Sequence, residues 1–167
     1  LRYFVDAIYP HLKKRNPELM TYVVGRDPTP EILRLDERDD LVVTGTVEDI
    51  RPYLYRSTLS ICPIRIGGGT RLKILESMAS GRPVVSTSAG ADGLPCDHGV
   101  NIMLSDQPEE FAGYVTTLIS DSDLRQTVAD NGRRFVEDHF HWATISGKLM
   151  ETYERAIGDY NIASRVN

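Results

Sequence analysis

The residues best suited to chemistry lie together near the middle of the chain. Gly67, Gly68 and Gly69 stand directly before Thr70, Arg71, Leu72 and Lys73, and Glu76 follows three positions after Lys73. Glycines ahead of a helix start let a ligand approach bare backbone N–H groups. Those groups carry partial positive charge, so the preferred guest is an anion, typically a phosphate. Arg71 and Lys73 fall in the first helical turn, where cations oppose the helix dipole, and a bound anion accounts for them. Glu76 can accept hydroxyl hydrogen bonds, and its two oxygens suit the cis-diol of a ribose. The bland alternatives are a tight turn with solvated cations and a surface pair between Lys73 and Glu76, worth about 0.2–0.5 kcal/mol. The apolar neighbours Ile74, Leu75 and Met78 make a solvated face less natural.

The elements that must position these groups read as strand, loop, helix, strand. Leu59 to Cys62 is a short apolar run ending at Pro63, as a buried strand should. Thr70 is the expected N-cap of a helix from Arg71 to Ser80, with Gly81 at C′. Pro83 then opens the β-branched run Val84 to Thr87. The loop is not a Walker loop, since Thr70-Arg71 rather than Gly-Lys-Ser/Thr follows the glycines. Nor is a G-x-G-x-x-G dinucleotide fingerprint completed.

Upstream, Phe4, Ile8 and Leu12 mark the core face of a helix. Strands are expected at Leu19 to Gly25 and Leu41 to Gly45, and short helices at Glu31 to Leu35 and Glu48 to Arg56. Downstream, Ala89 to Gly99 reads as a loop and Asn101 to Leu104 as a short strand. Three helices follow, marked by Phe111, Val115 and Leu118, by Leu124, Val128 and Phe135, and by Ile145, Leu149 and Tyr153. Short strands alternating with helices give an α/β fold, a Rossmann-like parallel sheet flanked by helices. Residues 1–157 form the domain and 158–167 a C-terminal tail. In such sheets ligands bind beyond the carboxyl ends of the strands, so the loops at Gly25, Thr44 to Val47, Pro63 to Thr70 and Ser86 to Gly93 should line one rim.

The 167 residues suit one domain. A net charge of −5 argues against wholesale binding of nucleic acid or anionic membrane. No apolar run approaches a membrane span, and no signal peptide opens the chain. Cys62 and Cys96 form no disulfide framework, and Cys62 reads as a buried free thiol. His11, His98, His139 and His141 are not completed into a metal site by a cysteine or carboxylate cluster. The reading is a cytoplasmic protein, its full-length form a candidate for peripheral association with the inner membrane.

Gly67-Gly68-Gly69-Thr70-Arg71-Leu72-Lys73, Glu76, Met78-Ala79 and Gly81-Arg82-Pro83-Val84-Val85, in register, resemble the donor-binding C-terminal half of the group 1 retaining glycosyltransferases of GT-B fold. Tyr22 to Gly25, Val42 to Ile50, Gly132 to Arg134 and Phe140 to Trp142 extend the resemblance along nearly the whole chain. It implies transfer of a sugar from a UDP- or GDP-type donor to an acceptor hydroxyl, as in polysaccharide biosynthesis. Gly68, Gly69, Thr70, Arg71, Leu72 and Lys73 would hold the diphosphate, with Arg71 and Lys73 stabilising the leaving group. Glu76 would hold the ribose and Thr46-Val47 the base, with no metal or other cofactor. Many relatives carry a glutamate that contacts the donor sugar eight positions before the ribose glutamate. Here that position is Gly68, and Arg65, Arg71 or the partner domain would have to substitute. Other readings keep the fold with a different role: a non-catalytic or regulatory nucleotide-sugar-binding module, or an epimerase or phosphorylase half-domain.

The resemblance also implies an N-terminal acceptor domain and a first strand, both expected to lie outside this chain. That strand would sit between the strands at Thr21 to Gly25 and Leu59 to Cys62. Without it three outcomes are open to the two: direct pairing, strand exchange in a dimer, or a split sheet. Exchange or dimerisation is the expected outcome, because exposed parallel edges promote it.

Overall fold

A computed structural model of the chain describes residues 1–67 and 69–166, with the side chains of 161–166 set aside. A π-turn, Phe4–Ile8, runs into α1, Tyr9–Arg15. There follow β1 (Thr21–Val24), α2 (Pro30–Leu33) with a 3₁₀ turn at Arg34–Glu37, β2 (Leu41–Gly45), α3 (Arg51–Arg56) and β3 (Ser60–Cys62). The second part comprises α4 (Leu72–Ala79), β4 (Val84–Ser86), α5 (Ser88–Ala91), β5 (Met103–Leu104), α6 (Pro108–Ser120), α7 (Ser122–Phe140) and α8 (Trp142–Val166).

All recorded strand pairs are parallel. Thr21 pairs with Leu41 and Val23 with Val43; Ser60 pairs with Val84, and Val85 with Met103. The order is β1-β2 in one sheet and β3-β4-β5 in another. No ladder joins β1 to β3 among the described residues, so of the three alternatives direct pairing is not formed and the sheet is split. Side chains nonetheless cross the divide. Val23 of β1 and Ile61 of β3 pack against a single core of Phe4, Ile8, Leu12, Leu41, Val85, Phe111, Val115 and Leu118.

Strand alternation builds two cores from adjacent residues. Val85 faces the α1–α6 layer, whereas Val84 joins Cys62, Ile74, Met78, Ile102 and Phe135 under α4 and α7. Helices therefore cover both faces, as an all-parallel sheet requires. Pro108, Glu109 and Glu110 suit the first turn of α6. Asp121 caps α7 by accepting from the N–H groups of Asp123 and Leu124.

Several boundaries differ from the sequence reading. The third helix starts at Arg51 rather than Glu48, because the Asp49 carboxylate accepts the Arg51 N–H and holds the preceding residues in a turn. Three residues of the expected 89–99 loop, with Ser88, form the short helix α5, which Thr87 caps through Gly90 N–H. The last helix continues to Val166, past the expected start of the tail at 158. No proline interrupts it, and Gly158 alone costs only about 1 kcal/mol. Trp142 (82% exposed), Leu149, Tyr153, Ile157 and Tyr160 leave an apolar stripe on that helix open. No helix of the described residues is long and apolar enough to cross a membrane.

The two sheets end in parallel edges at β1 and β3. Light scattering over a concentration series is expected to show an apparent mass that rises toward a dimer. A monomer mass constant over the series would remove strand exchange as the answer to the split.

Candidate functional site

The glycine loop starts where β3 ends. Gly69 takes φ +97°, a value that L side chains rarely adopt, so glycine is needed there. Gly68 lies outside the described residues. Leu72 N–H donates to Thr70 O at 2.8 Å, and this tight turn delays the helix by one residue. Arg71, not Thr70, is therefore the N-cap, and no side chain caps the helix. Among the described residues, no acceptor meets the backbone N–H groups of Thr70 or Lys73. The far end follows the sequence reading. Gly81 has φ +68°, its N–H donates to Met78 O, and Arg82 N–H donates to Ser77 O, which is a Schellman closure.

Arg71 is a brace. Its side chain is only 8% exposed. Nε donates to Asp92 O and Nη2 to Gly67 O, each at 3.1 Å. The Asp92 carboxylate lies 3.8 Å from the same Nη2. One guanidinium thus ties the glycine loop to the loop after β4. Further bonds tie the end of β4 and the segment after it to their neighbours. Thr87 Oγ1 donates to Ile64 O, Ser86 Oγ donates to Cys62 O at 3.1 Å, and Ser88 N–H donates to Asp106 Oδ1 at 2.9 Å. Gly90 fits against this junction because a Cβ there would lie 2.6 Å from Cys62 O.

Lys73 and Glu76 are both exposed. They form no ion pair with each other or with another described residue, so the surface pair considered from sequence is not made. Ile66 is 95% exposed, and Leu72 is exposed as well. Arg65 lies over the Tyr3 ring, 5.0 Å from its centroid, while Tyr3 OH donates to Asp106 O. Thr46 is exposed and Val47 half-buried just past β2. They belong to the other sheet and make no hydrogen bond to the glycine loop among the described residues. Burial pushes the Cys62 thiol up, in keeping with a structural free cysteine. Among the described residues, no three His, Cys, Asp or Glu side chains converge as a metal site would require. An open groove of about 720 Å³ between α1 and α6, lined by His11, Arg15, Glu109 and Tyr114, shares no residue with the loop.

The sequence reading brought forward Thr46, Val47, Gly68 to Lys73 and Glu76; Gly69 to Lys73 and Glu76 lie on one turn and its helix, Gly68 is outside the described residues, and Thr46-Val47 follow a strand of the other sheet. It missed the pairing of Arg71 with Asp92 and the junction at Thr87 and Gly90. Thr87 followed at three residues by Gly90 was the available signal for a capped turn.

Residues 1–121 match the family model described as glycosyl transferases group 1. The chain is 30% identical over 148 residues to the MMP alpha-(1->4)-mannosyltransferase of Mycolicibacterium hassiacum, covering 84% of this chain and 35% of that protein. Among solved structures, Anabaena HepE in complex with UDP and glucose aligns with TM-score 0.75 and 24% identity, over 89% of this chain and 44% of HepE. The C-terminal domain of a group 1 glycosyl transferase, LpcC of Francisella tularensis, aligns with TM-score 0.69 and 24% identity, over 85% of this chain and 82% of that domain. At these identities the structures show the fold. The chain spans under half the length of the mannosyltransferase and of HepE.

Gly90→Ala should reduce stability by about 1–3 kcal/mol, since the added methyl must displace backbone rather than a flexible side chain. Urea unfolding at unchanged slope would register the loss. A variant as stable as wild type would show that the two loops are not held at this junction.

Proposed function

The chain belongs to the group 1 glycosyltransferases, and from that premise we propose that it is the donor-binding half of an enzyme that moves a sugar from a UDP- or GDP-type donor to an acceptor hydroxyl with retention. The observation that carries this reading is the set of unpaired groups on one exposed turn. Lys73 and Glu76 carry opposite charges three residues apart and leave each other unpaired, beside N–H groups that meet no acceptor among the described residues. A diphosphate would occupy the N–H groups and Lys73, and a ribose diol would occupy Glu76. The loop at Thr46-Val47 would meet the base. HepE crystallised with UDP and with UDP-glucose, which favours a uridine donor.

In the reaction so proposed, the bond from the sugar's anomeric carbon to the diphosphate oxygen breaks, and a bond from the acceptor oxygen to that carbon forms. The acceptor's proton passes to a phosphate oxygen of the departing diphosphate. Lys73, the loop N–H groups and the nearby charge of Arg71 stabilise the negative charge that develops there, so the chemistry calls for no metal. The acceptor site belongs to the other domain of the enzyme.

Calorimetry with UDP and GDP tests the binding site. Glu76→Ala should weaken the nucleoside diphosphate by roughly tenfold, the value of a charge-assisted hydrogen bond. Unchanged affinity would remove Glu76 from the ribose site. Lys73→Ala should weaken UDP but leave uridine unaffected, because only the diphosphate carries the anion. Equal loss of both ligands would indicate a folding defect.

The 167-residue chain alone is expected not to transfer sugar, since positioning against the acceptor supplies a large share of barrier reduction. Turnover by the purified chain above a Glu76→Ala control would overturn that expectation.

A further inference from the structure

The side chains first suited to sugar recognition are engaged elsewhere. Arg71 is bonded to Gly67 O and Asp92 O, and Arg65 lies against Tyr3. Asp92 also reaches the glycine loop, through Arg71. Asp92 follows α5, and its backbone is fixed to the buried Arg71 guanidinium. Its side chain is 81% exposed, and its carboxylate shares Arg71 Nη2 with the carbonyl of Gly67. The 3.8 Å separation is longer than a hydrogen bond, so both carboxylate oxygens keep lone pairs for another donor. Asp92 is thus a carboxylate anchored at its main chain, held at the start of the cradle, with its acceptors open.

Resting on the donor-site reading, we propose that Asp92 is a specificity-determining residue that accepts hydrogen bonds from the hydroxyls of the donor sugar. A pyranose attached to a diphosphate in the cradle must emerge next to the loop, and its outward groups are hydroxyl donors. A carboxylate with two free oxygens can accept from two neighbouring hydroxyls at once. It would be repelled by the diphosphate itself, so the adjacent guanidinium is what makes its placement there tolerable. Arg71 then has two effects through one side chain: it shapes the loop that holds the phosphate, and it steadies the residue that reads the sugar.

The test is titration of the 167-residue chain, followed by two-dimensional amide NMR to millimolar ligand. The ligands are UDP, GDP, UDP-glucose, UDP-galactose, UDP-N-acetylglucosamine and GDP-mannose. At least one sugar nucleotide should bind tighter than its own diphosphate, and Asp92→Asn should cut that advantage roughly tenfold while UDP and GDP bind as before. Monodeoxy analogues of the preferred donor should lose affinity in the wild type but not in Asp92→Asn, a coupling that a purely structural role would not produce. If sugar nucleotides bind no better than their diphosphates in the wild type, or if Asp92→Asn weakens UDP and UDP-sugar alike, Asp92 does not read the sugar and the donor-site reading stands. If the wild type binds neither diphosphates nor sugar nucleotides, the donor-site reading fails and this inference fails with it.

Discussion

A charged guanidinium buried at the edge of a parallel sheet is the constraint on which the rim depends. Arg71 has lost most of its water, and such a loss is tolerable only with hydrogen bonds in exchange. Its close partners are backbone carbonyls, at Gly67 and Asp92. The carbonyls satisfy the donors, and the Asp92 carboxylate, 3.8 Å from Nη2, offsets the charge, so one side chain fixes the loop. A lysine could supply the charge but not the fork that reaches two segments, which makes the two residues non-equivalent here.

The fold was legible where burial follows a simple period. Leu41 to Gly45 matches the strand, and Phe4, Ile8 and Leu12 all reach the core, because alternation and four-residue spacing map directly onto faces. Adjacent valines at 84 and 85 serve opposite cores for the same reason. Boundaries were less legible because local side-chain bonds decide them. Asp49 holds back the start of α3, and the Thr70–Leu72 turn holds back α4. The helix α5 was missed because Ser88, Ala89, Gly90 and Ala91 have no apolar period to read.

The candidate site was legible to the extent that its residues are neighbours in sequence. The glycines, Lys73 and Glu76 lie within one turn and its approach, and spacing alone brings them together. Arg71 looked like a second phosphate cation on the same logic. Its geometry instead depends on Asp92, twenty-one positions away, and on the β4–α5 turn that carries it. Long-range bonds of this type leave no local pattern.

The two ladders share side chains but no backbone bonds across the β1–β3 divide among the described residues. Cooperativity between them must therefore pass through Phe4, Ile8, Leu12 and their neighbours rather than through a continuous hydrogen-bonded network. Hydrogen-bonded ladders resist opening strand by strand, whereas packed side chains can slide and loosen together. The β1–β2 pair and the β3–β4–β5 unit are joined by one hydrophobic layer. The loop at Thr46-Val47 rides on the first and the glycine loop on the second.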